Sequence, residues 1–333
     1  MKSTSVVDET MIPVHPGSSV VRSGHEPRHS SVAGELVRAH EIAQVLDSLA
    51  ARQVCPILLK GAALAYTIYP SPSMRPRVDT DLLIARDQIA VTRDVLAARG
   101  YVEPTMSSGE FVFGQFQMAK VDGWGVEHVF DIHWRISSQS LFASVLTYDE
   151  LYTHAIIVPA LGEQARAAAF DHALLLACVH PVMHHRNTER MIWFRDIDLL
   201  VRRMSDEQLH RFAQLALDRG MARICAHQLS IAAEQFHSPV PSAVMRLLRS
   251  ASSTEPAAIY LRANRRWHHE LLWNVRNLPG WRDRARLLRE VLFPSPQYML
   301  DTYHLGSGGL VLLPALYAHR CAHGAFKVLV GRK

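Results

Sequence analysis

Two aspartates two residues apart, Asp79 and Asp81, lie inside the apolar run "VDTDLLI" (78–84). In a strand, alternation puts both carboxylates on one face. About 6–7 Å apart, they repel each other, and charge in apolar surroundings is costly unless compensated. A divalent cation removes that conflict, and hard oxygen ligands suit Mg²⁺. A third acid, Asp131, sits in "VEHVFDIHW" (126–134). There the same alternation gathers Val126, His128, Phe130, Ile132 and Trp134 on one face, and Glu127, Val129, Asp131 and His133 on the other. Three acids converging from neighbouring strands could hold two Mg²⁺ ions, the arrangement used for in-line phosphoryl or nucleotidyl transfer. Read one by one, the aspartates also fit the solvent-facing side of a half-exposed sheet.

Lys60-Gly61 closes the apolar run "CPILLKG" (55–61). A glycine at a strand-to-helix turn lets backbone approach a ligand closely, and a helix N-terminus favours an anion. A lysine beside it adds a point charge for phosphate. Arg75 and Arg77 follow in a proline-rich loop just before the acidic pair. Each feature is weak alone; together they outline a phosphate and metal site.

The elements that must position these groups follow from periodicity. "ELVRAHEIAQVLDSLAARQ" places Leu36, Ala39, Ala43, Leu46 and Leu49 on one helical stripe. "CPILLK" reads as a buried strand and "GAALAYTIY" as a helix starting straight after it. Pro70, Pro72 and Pro76 make the next segment a loop. "VDTDLLI" is a second strand. "RDQIAVTRDVLAARG" is a helix with Ile89, Val95 and Leu96 inward and Gly100 at its stop. "EFVFGQFQMAKV" and "VEHVFDIHWRI" flank "DGWG" and predict a hairpin. After about residue 160 the texture turns helical, and "SDEQ" (205–208) supplies a capping-box signal.

Composition sets the frame. The 333 residues are 48% hydrophobic and 20% charged, ordinary for a globular protein with room for two domains. A net charge of +5 suits an anionic ligand but also a plain arginine-rich surface. The four cysteines form no CxxC pair, no secretory signal is apparent, and the longest apolar stretch, "GGLVLLPALYA", is far short of a membrane span. The expectation is a soluble, cytoplasmic protein with reduced thiols.

Three segments carry a resemblance. "LLKGAALA", "RPRVDTDLLI" and "VFDIHWRI" resemble the motifs of the DNA polymerase β-like nucleotidyltransferase superfamily, in particular its uncharacterised bacterial branch. "FDHALLLACVHPVMHH", "MIWFRDIDLL" and "LFPSPQYML" are similar to later segments of that branch, so the likeness runs over about residues 35–320. Composition and periodicity predict a disordered or loosely ordered arm over 1–32, an α/β domain over 33–160 and a mostly α-helical domain over 161–333. The resemblance implies an α+β protein in which the middle part is a small mixed-sheet nucleotidyltransferase domain. It implies that Asp79 and Asp81 match the Asp-x-Asp metal ligands. Asp131 would be the third carboxylate, which positions or deprotonates the attacking group. Gly61 matches the phosphate-binding turn, and Arg75 or Arg77 the arginine before the acidic pair. The substrates implied are an NTP such as ATP, with Mg²⁺ or Mn²⁺, and an unidentified acceptor: a small molecule, peptide, protein side chain or RNA end all fit the site, with nucleic acid ranked last. The superfamily usually has Gly-Ser at the turn, where this chain has Lys60-Gly61-Ala62.

Other features fit less directly. His180 and His184 are four apart on a predicted helix, a spacing that can bind zinc, but no HExxH or partnering cysteine accompanies them. The resemblance places their helix near the cleft, so His133, His180, His184 and Asp196 are second-line candidates for touching nucleotide or acceptor. Eight arginines lie between Arg262 and Arg289 among Trp267, Trp273 and Trp281, either a solvated face over buried tryptophans or a nucleic-acid surface. Two rival functions remain open at this level. One is a nucleotide-sugar glycosyltransferase using Asp79-x-Asp81. The other is a catalytically silent relative that binds a partner.

Overall fold

The computed structural model describes residues 32–103, 114–185, 187–261, 267–278, 280–305 and 307–330. The expected N-terminal arm, apart from Val32, and residues 110–113 of the expected hairpin lie outside them. The described residues up to Leu261 belong to one compact unit and those from Trp267 to another.

The first unit opens with α1 (Val32–Ala50), which buries Ile42, Val45, Leu46 and Leu49. Each such side chain, fully buried, contributes roughly 1.5–3 kcal/mol. The stripe is rotated from its expected position: Leu36 is 67% exposed. The inward place in the first turn is taken by Glu35, which is ion-paired with Arg77 and accepts a 2.5 Å hydrogen bond from the Tyr66 hydroxyl. A buried ion pair outweighs the apolar pattern there.

Strand β1 (Ile57–Leu59) runs straight into α2 (Lys60–Thr67). After the proline loop come β2 (Thr80–Leu83) and α3 (Ile89–Ala98), which stops at Gly100 with φ +83°. The hairpin forms as β3 (Gln115–Val121) and β4 (Glu127–His133). Short helices α4 (Ser140–Ala143) and α5 (Tyr148–Thr153) lead to β5 (Ile156–Ile157) and β6 (Arg166–Ala167). The fold is α+β. Its six-stranded mixed sheet has the order β3-β4-β2-β1-β6-β5, with β2 and β4 parallel and β1 and β2 antiparallel.

Alternation then sorts the two faces. Leu58, Leu82, Phe130 and Ile132 pack with α1 and α3 in one core. Ile57, Leu59 and Leu83 face the other way, into a core shared with the helices that follow. Asp81 and Asp131 fall on this second face, each an even number of residues from Leu83 or His133.

Those helices are α6 (Phe170–His184), α7 (Met191–Arg203), α8 (Asp206–Asp218), α9 (Ala222–Phe236) and α10 (Ser242–Arg249). The Ser205–Gln208 capping box is formed at α8. Helix α6 packs against α2, which brings the histidine helix over the strand-to-helix turn. Cys178 and Cys225 are buried here, Cys55 and Cys321 are half-buried, and all four thiols are free.

The second unit comprises α11 (Trp267–Asn277), α12 (Trp281–Leu292), α13 (Pro296–Thr302) and α14 (Leu313–Val330). Leu287 and Val291 of α12 pack on Leu271, Val275 and Leu278. Trp281 is 74% exposed, so the expectation of buried tryptophans fails at that position: the residue opens α12 outside this small apolar cluster. Among the described residues no helix is long and apolar enough to cross a membrane.

Candidate active site

The β1–α2 turn is the first part of the site. Lys60 has φ +50°, a left-handed conformation rare for a residue with a side chain and often found where function requires strain. No side chain caps α2, so its first N–H groups are left without one. The turn sends the Lys60 ammonium onto Asp81, with Nζ 2.6 Å from Oδ1. Burial alone would lower the Lys60 pKa, but Asp81, backed by Asp79 and Asp131, reverses that and raises it. The lysine therefore serves the acidic cluster directly, where the sequence suggested a point charge for phosphate.

The parallel pairing of β2 and β4 sets Asp81 beside Asp131 and Leu83 beside His133. His133 Nε2 lies 2.8 Å from the same Asp81 Oδ1 that Lys60 contacts. Asp131 accepts a 2.8 Å hydrogen bond from Gln117 Nε2, its antiparallel neighbour in the hairpin. Asp81, Asp131 and His133 are all buried, and they offer ligand atoms within 4.8 Å of one another. Asp79, half-buried, precedes β2 and stands outside this triad while feeling its charge.

The three carboxyls differ in proton affinity. Burial would raise Asp81, yet Lys60 and the hydrogen bond from His133 hold it well below the usual carboxylate range. Asp79 is pushed up to about 7 by burial and by the charges of Asp81 and Asp131. Asp131 is raised by burial and by Asp81. One firm anion thus lies among two acids that resist ionisation, the electrostatic signature of a site short of positive charge.

A divalent cation fits this shortage. Two carboxylates and an imidazole are a metal-ligating donor set, and the Lys60 ammonium already stands on Asp81 as a cation. Lys60→Met is accordingly expected to destabilise the metal-free protein by about 3 kcal/mol, because one partner of a mostly buried pair is removed. Saturating Mg²⁺ or Mn²⁺ should restore most of that loss. Thermal unfolding in EDTA and in metal checks this; an equal deficit in both contradicts it.

The two arginines are clamps. Arg75 makes a two-pronged contact with Asp196 of α7, from Nε to Oδ1 and Nη2 to Oδ2, each 2.8 Å. Tyr69 donates to the same Oδ1 at 2.7 Å. The Arg75 guanidinium lies over Gly61, where an added Cβ would come 3.3 Å from Nη1. A side chain at Gly61 would therefore crowd the Arg75 guanidinium, the group that approaches it. Arg77 is tied to Glu35 and Tyr66, with its guanidinium 5.0 Å from the Tyr66 ring centre. It anchors the loop to α1.

His180 and His184 lie on α6, their rings 5.4 Å apart, with Trp193 edge-on to His180. His180 Nδ1 and His184 Nε2 have no hydrogen-bond partner, and both atoms are buried. Burial, with Lys60 and neighbouring imidazoles adding to it, pushes both pKa values well below the usual histidine range. They remain neutral at pH 7. The structure thus brings Lys60, Asp79, Asp81, Asp131, His133 and His184 into one electrostatic neighbourhood, with Gly61, Arg75 and Asp196 bracing its edge. Gln117 was missed by the sequence reading, though the hairpin register around "DGWG" places it opposite Asp131.

Residues 24–237, well over half of the chain, match the family model described as uncharacterised nucleotidyltransferase. Among solved structures, the chain is similar to an antigenic nucleotidyltransferase-like protein from Paracoccidioides brasiliensis. That likeness has 13% identity and a TM-score of 0.40, and covers 68% of this chain and 97% of that one. So distant a likeness leaves the site to be read from this chain's own residues. No curated protein matches the chain.

Proposed function

Because the chain belongs to this family of uncharacterised nucleotidyltransferases, we propose that it moves the NMP unit of an NTP, in the presence of a divalent cation, to an acceptor hydroxyl or phosphate and releases pyrophosphate. One observation carries the reading: Asp81 and Asp131 lie side by side on parallel strands, next to an uncapped helix N-terminus. That pairs a cation site with an anion site, which is what a metal-bound triphosphate requires.

Asp81 and Asp131 would hold the cation, with Asp79 completing the set as the polymerase β-like motif implies. Bound Mg²⁺ or Mn²⁺ supplies charge neutralisation at the phosphates and at the attacking oxygen. The chain's own residues do the rest. Gly61 and the first N–H groups of α2 would steady the phosphates. An acceptor oxygen would bond to the α-phosphorus as the bond to the β-phosphate oxygen breaks. The acceptor's proton would pass to Asp131, the third carboxylate of the motif. Arg75 and Asp196 act at a remove, by fixing the loop against Gly61. Catalysis of this kind is mostly positioning and electrostatics. The chemistry would lie in residues 33–160, with helix α6 of the same compact unit packed on the side of the β1–α2 turn. The setting would be cytoplasmic, and the acceptor a small molecule, peptide or protein.

One observation favours the silent-binder reading: the motif's basic side chains, Lys60, Arg75 and Arg77, are already ion-paired within the chain. Calorimetry separates the readings. NTP binding that requires Mg²⁺ or Mn²⁺ and exceeds UDP-sugar binding is expected. No metal-dependent nucleotide binding would favour the silent scaffold, and preference for UDP-sugars the glycosyltransferase.

A further inference from the structure

We infer that the cation held by Asp81, Asp131 and His133 is of the Mn²⁺ class rather than Mg²⁺, with His133 Nε2 as a direct ligand and Lys60 as the cation it displaces. The inference rests on reading this face as a cation site, but not on nucleotidyl transfer.

The first ground is the donor set. His133 is 2% exposed, and its position is fixed by the β2–β4 register, which sets it beside Leu83 and two residues from Asp131. It therefore shares the face of the two carboxylates and has little room to turn away. Its Nε2 lies 2.8 Å from Asp81 Oδ1, near enough for both atoms to ligate one octahedral ion, whose neighbouring ligands stand about 3 Å apart. Asp131 offers an oxygen within 4.8 Å of both. Mg²⁺ prefers oxygen ligands and retains its waters, whereas a mixed set of two carboxylates and an imidazole suits a first-row transition ion, and Mn²⁺ is the one of these that also favours carboxylate oxygen.

The second ground is a buried atom without a partner. His184 is 6% exposed, and its Nε2 has no hydrogen-bond partner. Lys60, His133, His185 and Asp81 are the titratable groups that act on it electrostatically. A buried polar atom left unpaired is costly, and a water or phosphate oxygen carried in by the ion would satisfy it. The third ground is Lys60. The ammonium contacts the same oxygen of Asp81 as His133 does, so an ion bound there takes its place. Lys60 would then be released beside the phosphates that the uncapped α2 turn faces, uniting the two roles its position suggests.

The test uses the full-length, metal-free protein with no nucleotide, so failure of the transfer reading leaves it unaffected. Calorimetric titrations with Mn²⁺ and Mg²⁺ should give at least about tenfold tighter Mn²⁺ binding. His133→Leu should weaken Mn²⁺ binding by about tenfold or more while Mg²⁺ changes by less than about threefold. Pulsed EPR of the bound Mn²⁺ should show a histidine ¹⁴N coupling in the unaltered protein. That coupling should be replaced by a ¹⁵N signal after ¹⁵N-histidine labelling and should be absent in the variant. Should His133→Leu fail to fold, His133→Asn and the labelled unaltered protein still decide the matter. Absence of nitrogen coupling in the unaltered protein, or a Mn²⁺ preference and coupling that survive loss of His133, would overturn the inference.

Discussion

Asp81→Asn and Asp131→Asn are each expected to lower nucleotidyl transfer by at least about a thousandfold, while only the first destabilises the metal-free protein. Asp81 carries the charge that Lys60 neutralises and that His133 contacts through Nε2. Removing it strands a half-buried ammonium, so that variant should unfold more readily. Asp131 is raised by burial and by Asp81, so a neutral amide relieves repulsion and should leave the metal-free fold as stable as before or more so. Asp79→Asn should resemble Asp131→Asn, and pH provides the check. With the Asp79 carboxyl pushed up to about 7, the folded chain keeps a proton that the unfolded chain loses near its ordinary value. Its contribution therefore erodes stability as pH rises from about 4 through about 7, and Asp79→Asn should flatten that slope. Asp81, held low, contributes the opposite trend, with stability lost as pH falls below about 4. Thermal unfolding across pH in EDTA measures both. Equal destabilisation by all three substitutions would contradict the charge assignment.

Arg75→Ala is expected to cost about 3–5 kcal/mol, a fall in melting temperature of roughly 10 °C. The substitution leaves Asp196 buried with only the Tyr69 hydroxyl. It also removes the guanidinium that rests on Gly61, so the loop before the acidic pair loses its brace and activity should fall with it. Arg75→Lys should rescue little, since an ammonium does not reproduce the two-pronged contact. Replacing both partners, Arg75→Met with Asp196→Leu, should recover much of the stability but not the activity. A melting temperature within about 2 °C of the unaltered protein for Arg75→Ala would refute the role.

What the sequence revealed of this site was its local part. Strand β1, helix α2, strand β2 and the hairpin are short-range patterns, and the alternation in "VEHVFDIHW" correctly separates Asp131 and His133 from Phe130 and Ile132. Long-range pairing stayed hidden. Nothing in the order of residues says that β2 runs parallel to β4, yet that register is what sets Asp81 beside Asp131. Arg75 and Asp196 are 121 residues apart in the chain, so the arginine loop looked free for phosphate. The same blindness misplaced Leu36, because Glu35 turns inward only to meet Arg77. Lys60 shows the effect most clearly: its place beside a phosphate-type glycine was legible, and its commitment to Asp81 was not.

Metal-dependent transfer of an NMP unit is decided by where a phosphate label ends up. The full-length protein is incubated with Mn²⁺ or Mg²⁺, a cell-extract acceptor pool, and ATP or another NTP labelled at either the α- or the γ-phosphate. The account predicts α-label covalently on an acceptor, γ-label released in pyrophosphate, and neither with EDTA or with Asp81→Asn. Transfer of γ-label without α-label, or no metal-dependent transfer from any of the four NTPs, would contradict it.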